Sequence, residues 1–198
     1  MRRIVVVCGA ATASPSFSLE DIPGTSGRID VAVRCLRAAL LVSHGVRQDT
    51  VAYLVLLGGP DAPRTIRVDG ATAKFLRPDE RSLATLVKKT LALATDGESF
   101  VTVKPGVAIA SGGVDAVLAD VSSPAVYVLE ESAPDIRDAT LDLANAIFFV
   151  GDHRGFDDAV RARLASLGAV PLSVGPVSVH AEDAVTLLVN ELDRSRRS

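Results

Sequence analysis

Apolar residues along this chain keep two different periods. Short, nearly continuous apolar runs stand at 3–8, 51–57, 125–129, 147–150 and 170–174, each followed at once by a glycine or an acid. Runs of this length, rich in β-branched residues and stopped by turn residues, predict strands buried on both faces. The segment Thr65-Ile66-Arg67-Val68 alternates instead, which predicts an exposed edge strand turning at Asp69-Gly70. Residues 100–103 and 107–110 predict two strands joined at Pro105-Gly106. Between these runs the apolar residues recur at helical spacing. Ile29, Val33, Leu36, Ala39, Leu40 and Val42 form one stripe, and Leu83, Leu86, Val87, Thr90 and Leu93 form another behind Pro78, whose fixed φ suits a first turn. Further helices are predicted over 113–121, over Val160, Leu164 and Leu167 with Asp157 as cap and Gly168 as stop, and over 181–194, with a short helix or turn at 134–139. Strands and helices alternate, so the pattern predicts one α/β domain over 1–198 with a largely parallel sheet. The stretch 9–27, rich in Ser, Thr, Pro and Gly, predicts a long loop, and loops of that length are often functional.

The strongest local signal runs from Ala146 to Arg194: strand, Gly loop, helix, strand, Gly-Pro loop, helix. Two Gly-bearing loops at the ends of neighbouring strands make a crevice of the kind that binds small molecules in open α/β sheets. Glycine admits a ligand close to the backbone, whose free N–H and C=O groups can read a purine edge. The expected ligand is nucleotide-like. Neither GxGxxG nor GxxxxGK[ST] occurs, so a dinucleotide fingerprint and a phosphate-cradling loop are both unsupported. The last helix is apolar over Ala184, Val185, Leu187, Leu188, Val189 and Leu192, wider than one narrow stripe. That width predicts burial on two sides and hence a twofold dimer.

Composition narrows the picture. Hydrophobic residues make up 48% and charged residues 23%, as in ordinary globular proteins, while 4% aromatics and no Trp require an aliphatic core. A net charge of −3 argues against broad nonspecific nucleic-acid binding, DNA included, without excluding one local basic face. Cys8 and Cys35 fall on a predicted strand and helix, as buried free thiols do, which favours a cytoplasmic protein. No apolar run reaches membrane-spanning length, and residues 4–7 are too short for a signal-peptide core. Asp152-His153 has no second cluster at metal-ligand spacing, so no metal is expected and a loop-ordering role is favoured.

The segments GDHRGF at 151–156, SVGPVSVHAEDAVTLLVNELDR at 173–194, FSLEDIPGTSGRIDVAVRC at 17–35 and FLRPDERS at 75–82 resemble the TrmY family, archaeal-type methyltransferases of the SPOUT superfamily acting on N1 of pseudouridine 54 in the T-loop of tRNA. The likeness spans nearly the whole chain. It implies a SPOUT-type α/β fold with a C-terminal trefoil knot, a homodimer, and S-adenosylmethionine (SAM) bound by Leu129, Gly151, Val174, Gly175, Pro176, Val177, Ser178, Val179 and Ala184. Ala184 departs from the family, which usually has Cys there. Methyl transfer to N1 must remove the N1 proton, and Asp30 is the expected acceptor. Arg28 is expected to touch the nucleotide, and Arg28, Arg34, Arg77 and Arg154 to meet RNA phosphates, with the basic tail 194–198 as a minor aid. Two rivals stand beside this reading. One is the same fold acting on rRNA or a ribose 2′-hydroxyl. The other is a noncatalytic protein that binds SAM or RNA.

Overall fold

The computed structural model describes residues 1–93 and 97–195. Tail residues 196–198 therefore lie outside the described residues. In chain order the elements are β1 (Arg2–Thr12), α1 (Ile22–Thr25), α2 (Ile29–Leu40), β2 (Leu41–Val42), β3 (Gly45–Val46), β4 (Thr50–Gly58), β5 (Arg64–Asp69), α3 (Glu80–Leu91), β6 (Val101–Lys104), β7 (Val107–Ser111), α4 (Val114–Ala119), β8 (Ala125–Leu129), a single 3₁₀ turn at Ile136–Asp138, β9 (Ala146–Gly151), α5 (Asp158–Ser166), β10 (Val170–Leu172) and α6 (Ala181–Arg194). Eight strands form one sheet in the order β10-β8-β9-β1-β4-β5-β7-β6. From β10 to β4 every pairing is parallel, and from β4 to β6 every pairing is antiparallel.

The sheet is covered on both faces, which is why its central strands read as continuous apolar runs. Successive side chains point to opposite sides. On β1, Ile4, Val6 and Cys8 enter the core beneath α2, α3 and α6, while Val5 and Val7 enter the second core beneath α4 and α5. β9 divides likewise, Phe148 and Val150 on one side and Ile147 and Phe149 on the other. Helices α3 and α5 are each fixed at the start by an aspartate cap. Asp79 Oδ1 accepts from Ser82 N at 2.8 Å, and Asp157 Oδ1 accepts from Val160 N at 2.8 Å. α3 thus begins two residues after Pro78, with Asp79 outside the helix as its cap.

Three expectations are corrected, and a fourth loses one of its supports. Thr65, Ile66 and Val68 are buried, and β5 sits inside the sheet between β4 and β7, not at its edge. Its polar positions misled because Thr65 meets the carbonyl of Gly112 and Arg67 pairs with Asp120, so neither needs bulk water. The stretch 9–27 is not all loop, since β1 continues to Thr12 and α1 forms a turn of helix. α2 stops at Leu40, and Val42 belongs to the small β2–β3 hairpin. Finally, Val185, Leu188, Val189 and Leu192 of α6 are buried in this chain's own core, with α6 packed chiefly on α2. Its outward side carries Asp183, Thr186, Asn190 and Arg194, all exposed, so its apolar width does not by itself require a partner.

Candidate active site

The C-terminal ends of β8, β9 and β10 lie side by side, and the loops leaving them wall a cavity of about 1290 Å³. Such an edge of a parallel sheet is where ligands bind in open α/β folds. The loop after β9 is bent back so closely that a Cβ on Gly151 would lie 2.8 Å from Gly155 Cα, so only glycine fits. The buried Asp152 carboxylate holds this loop. Its Oδ1 accepts from Arg154 N at 2.8 Å, and its Oδ2 accepts from Gly9 N, beyond the core of β1, at 2.8 Å. Asp152 orders the loop, as its sequence position led us to expect. The chain after β10 is tied to the turn at 135–138, Ser173 N donating to Pro134 O at 2.8 Å and Ile136 N to Ser173 O at 2.9 Å. It then opens at Gly175, φ 156°, where a side chain would be strained. Ser178 Oγ donates to Glu131 Oε1 at 2.6 Å, bridging the third loop to the end of β8.

Leu129, Gly151, Val174, Gly175, Val177, Ser178, Val179 and Ala184 all line this cavity, whereas Pro176 does not. Leu129, Val150, Val174, Val177 and Ala184 supply an apolar surface suited to an adenine face, interrupted by loop backbone suited to its polar edge. These residues fit SAM. Among the described residues, no three or more His, Cys, Asp or Glu side chains are gathered to hold a metal ion.

A second wall comes from the first third of the chain. Gly27 and Arg28 both take the left-handed conformation, φ 62° and 79°, just before α2. At Gly27 this allows the backbone to lie on Ala10, where a Cβ would stand 2.0 Å from the carbonyl oxygen. At Arg28, a non-glycine residue, the conformation costs on the order of 1–3 kcal/mol and persists only where the surroundings enforce it. The enforcing contact is a fork: Arg28 Nε and Nη2 donate to the two oxygens of Asp30 at 3.0 Å each. Arg34 Nη1, one turn on, donates to Asp30 Oδ2 at 3.0 Å and to Glu80 Oε2 at 3.2 Å, and its Nε to Glu182 Oε1 at 2.7 Å. One guanidinium therefore joins α2, α3 and α6. Arg28, Arg34 and Glu182 line the cavity, and Asp30, 2% exposed, sits behind the two arginines.

Charge states follow from these bonds. Burial by itself would raise the Asp30 pKa, but the hydrogen bonds from Arg28 and Arg34 outweigh it and hold the carboxyl below its usual range. Glu182 is lowered in the same way, burial being outweighed by backbone and Arg34 hydrogen bonds at the start of α6. Arg34 is raised despite its desolvation, by Glu182 and Asp30. Cys8 and Cys35, both buried, are pushed up chiefly by desolvation and are inert thiols. Asp30 thus has both oxygens occupied and a weakened affinity for a proton.

Of the other predicted RNA contacts, Arg154 lines the cavity and Arg77 stands exposed outside it, ahead of α3. His180 precedes α6 with no side-chain capping bond. Glu80, Glu130, Glu131 and Glu182 were not singled out from the sequence, because acids in first helical turns and just past strand ends have ordinary structural uses there, nor was Arg161, one of two arginines on α5.

The class follows from fold, cavity and comparison together. A family model described as "Putative SAM-dependent RNA methyltransferase" matches residues 1–197, and the chain belongs to that family. More particularly, it is similar to proteins named tRNA (pseudouridine(54)-N(1))-methyltransferase. That of Methanosarcina acetivorans is 38% identical over 98% of this chain and 92% of its own length. That of Halobacterium salinarum is 39% identical over 98% and 96%, and that of Methanocella arvoryzae 39% over 98% and 100%. Among solved structures, Archaeoglobus fulgidus Nep1 bound to S-adenosylhomocysteine superposes with a TM-score of 0.68 over 100% of this chain and 99% of that one. At 15% identity this likeness speaks for the fold.

Proposed function

We propose that this protein methylates N1 of pseudouridine 54 in tRNA, with SAM as the methyl donor. The observation that carries the reading is a single cavity walled on one side by the glycine loops and on the other by Arg28 and Arg34. Its volume of about 1290 Å³ exceeds the roughly 300–1,000 Å³ that suits one small molecule, leaving room for a base beside the cofactor. Relatives of this similarity, matched over 92% or more of their own length, carry that activity in their names.

SAM supplies an electrophilic methyl group on a positively charged sulfur. In the transfer the sulfur–methyl bond would break as the N1–methyl bond forms, S-adenosylhomocysteine would be the leaving group, and the N1 proton would pass to water in the cavity. Leu129, Val174, Val177 and Ala184 would hold the adenine face, and the backbone at Gly151 and Gly175 would approach it. With Ala at 184 there is no thiol, and this position contributes packing alone. Arg28 reaches the incoming nucleotide from the opposite wall, its orientation fixed by Asp30. The expectation that Asp30 takes the N1 proton is weakened by its two arginine partners and lowered pKa, so its first role in this proposal is to position Arg28 and Arg34. Orientation of N1 against the methyl group then supplies the larger part of the rate. Arg154, at the cavity, and Arg77, outside it, are the phosphate contacts; Arg34, already shared among three carboxylates, is the weakest of the four candidates.

We infer one domain, since both cores share one sheet, and the family resemblance adds a C-terminal trefoil knot. The proposal also includes a cytoplasmic homodimer. No helix among the described residues is long and apolar enough to cross a membrane. The decisive experiment incubates labelled SAM with tRNA transcripts carrying uridine or pseudouridine at the T-loop position. Label incorporated only into pseudouridine RNA is expected. Equal labelling of both would point to a ribose or another base, and no labelling with intact SAM binding would leave a noncatalytic binder.

A further inference from the structure

Phe75 is the most exposed large apolar side chain among the described residues, 94% accessible, and it lies ahead of α3 in the left-handed conformation, φ 59°. A bulky residue seldom adopts that backbone, and strain of this kind gathers at ligand clamps. The segment is anchored on both sides. Ala73 and Leu76 pack against the core, Ala73 N donates to Asp69 O at 2.8 Å, and Gly106 lies so close that a Cβ there would meet Ala73 N at 2.2 Å. Downstream, Asp79 caps α3. With Ala73 and Leu76 turned inward, the chain between them thrusts Phe75 into solvent.

Its surroundings are cationic. Lys74 and Arg81 have no side-chain hydrogen bond or ion pair among the described residues, and Arg77 stands exposed with them. The nearby acids are engaged: Asp79 by the Ser82 amide, with Arg77 adding to the field that lowers its pKa, and Glu80 by Arg34. Phe75 is five residues from Glu80, at most about 18 Å of extended chain, and Glu80 touches the wall of the cavity through Arg34. An exposed ring with uncommitted cations near it in sequence, tethered within about 18 Å of the residue that pairs with the cavity wall, has the make-up of a base-stacking platform for single-stranded RNA.

We infer that Phe75 stacks on an unpaired RNA base adjoining the target nucleotide, while Lys74 and Arg81 meet the flanking phosphates. This rests on the reading of the protein as an RNA methyltransferase. The test measures the affinity of wild type and of Phe75→Ala, Phe75→Leu and Phe75→Trp for a T-arm hairpin oligonucleotide at fixed salt, with SAM affinity by calorimetry and molar mass by light scattering alongside. Loss of stacking weakens RNA binding roughly 5- to 150-fold in the Ala and Leu variants. The Trp variant retains it, and SAM affinity and mass stay unchanged in all. Unchanged RNA affinity in the Ala variant, with wild type still methylating RNA, overturns the platform and leaves the activity standing. Restoration by Leu shows a plain apolar contact and overturns stacking. A halved mass in the Ala variant makes Phe75 an interface between copies instead. Wild type that binds SAM yet neither binds nor methylates RNA overturns the enzyme reading and the platform with it.

Discussion

Asp30 illustrates how burial decides what a carboxylate does. The sequence shows an Arg, an Asp two residues on and an Arg four further, a spacing compatible with a solvated surface pair worth little. In the fold the Asp is 2% exposed and both guanidiniums close over it. Asp30→Asn therefore has two readouts. Stability falls by about 1–3 kcal/mol at neutral pH, the range for leaving buried hydrogen-bonding groups without their partner, with Arg28 and Arg34 still partly solvated. The single-turnover methyl-transfer rate falls more than SAM affinity does, because Asp30 stands behind the nucleotide wall. If rate and RNA affinity fall together, its work is positioning; a lost rate at full RNA affinity returns it to the role of proton acceptor. The sign of the pH dependence follows from the lowered pKa. The contribution is complete above the ordinary Asp value of about 3.9 and is lost as pH falls through the lower folded value, so the gap between wild type and Asp30→Asn closes only in acid. Denaturant titrations from pH 7 downward check it. The left-handed turn at Gly27-Arg28 was not legible in advance, because it is set by the closeness of Ala10, a long-range contact.

At the scale of elements, apolar runs located most of the strands, and stop residues set their ends. β8 occupies the expected 125–129, and Asp157 and Gly168 bound α5 as expected. Misreadings fell where a polar side chain finds its partner inside the protein, as on β5, or where a short hairpin borrows a helical stripe, as at Val42. The loop after β9 offers the sharpest element-level prediction. Gly151→Val drives a side chain into Gly155, which takes φ 72° and cannot yield without moving the loop. SAM binding is expected to fall below calorimetric detection, while the thermal midpoint shows a protein still folded, since this loop lies at the rim of the sheet. Undiminished SAM affinity would remove Gly151 from the site. On α6, Leu188→Ala is expected to cost about 2–5 kcal/mol by emptying the core beneath α2, measurable by urea titration.

For the whole molecule, the ends of the chain are joined by charge. Arg2, 5% exposed at the start of β1, donates to Asp193 Oδ1 at 2.6 Å and to Leu192 O at 3.0 Å near the end of α6, and lies 3.7 Å from Asp49. Arg47 reaches the same Asp193 at 2.8 Å. None of this was visible in the sequence, since the partners stand 191 and 146 positions apart. A buried guanidinium stripped of its main partner is costly, whereas an exposed pair such as Arg163 with Asp115, 44% and 69% accessible, is held by solvent as well. Asp193→Ala is therefore expected to destabilise by about 2–4 kcal/mol, reduced from the fully buried figure because Asp193 is partly exposed. Asp115→Ala should change stability by less than about 1 kcal/mol. Burial would raise the Asp193 pKa, but Arg2 and Arg47 lower it on balance, so its contribution holds above the usual Asp range and is lost as pH falls through the folded value. Chemical denaturation of both variants at neutral and acid pH checks the ranking. Equal, small effects at neutral pH would mean that the two ends are held by apolar packing of α6 alone.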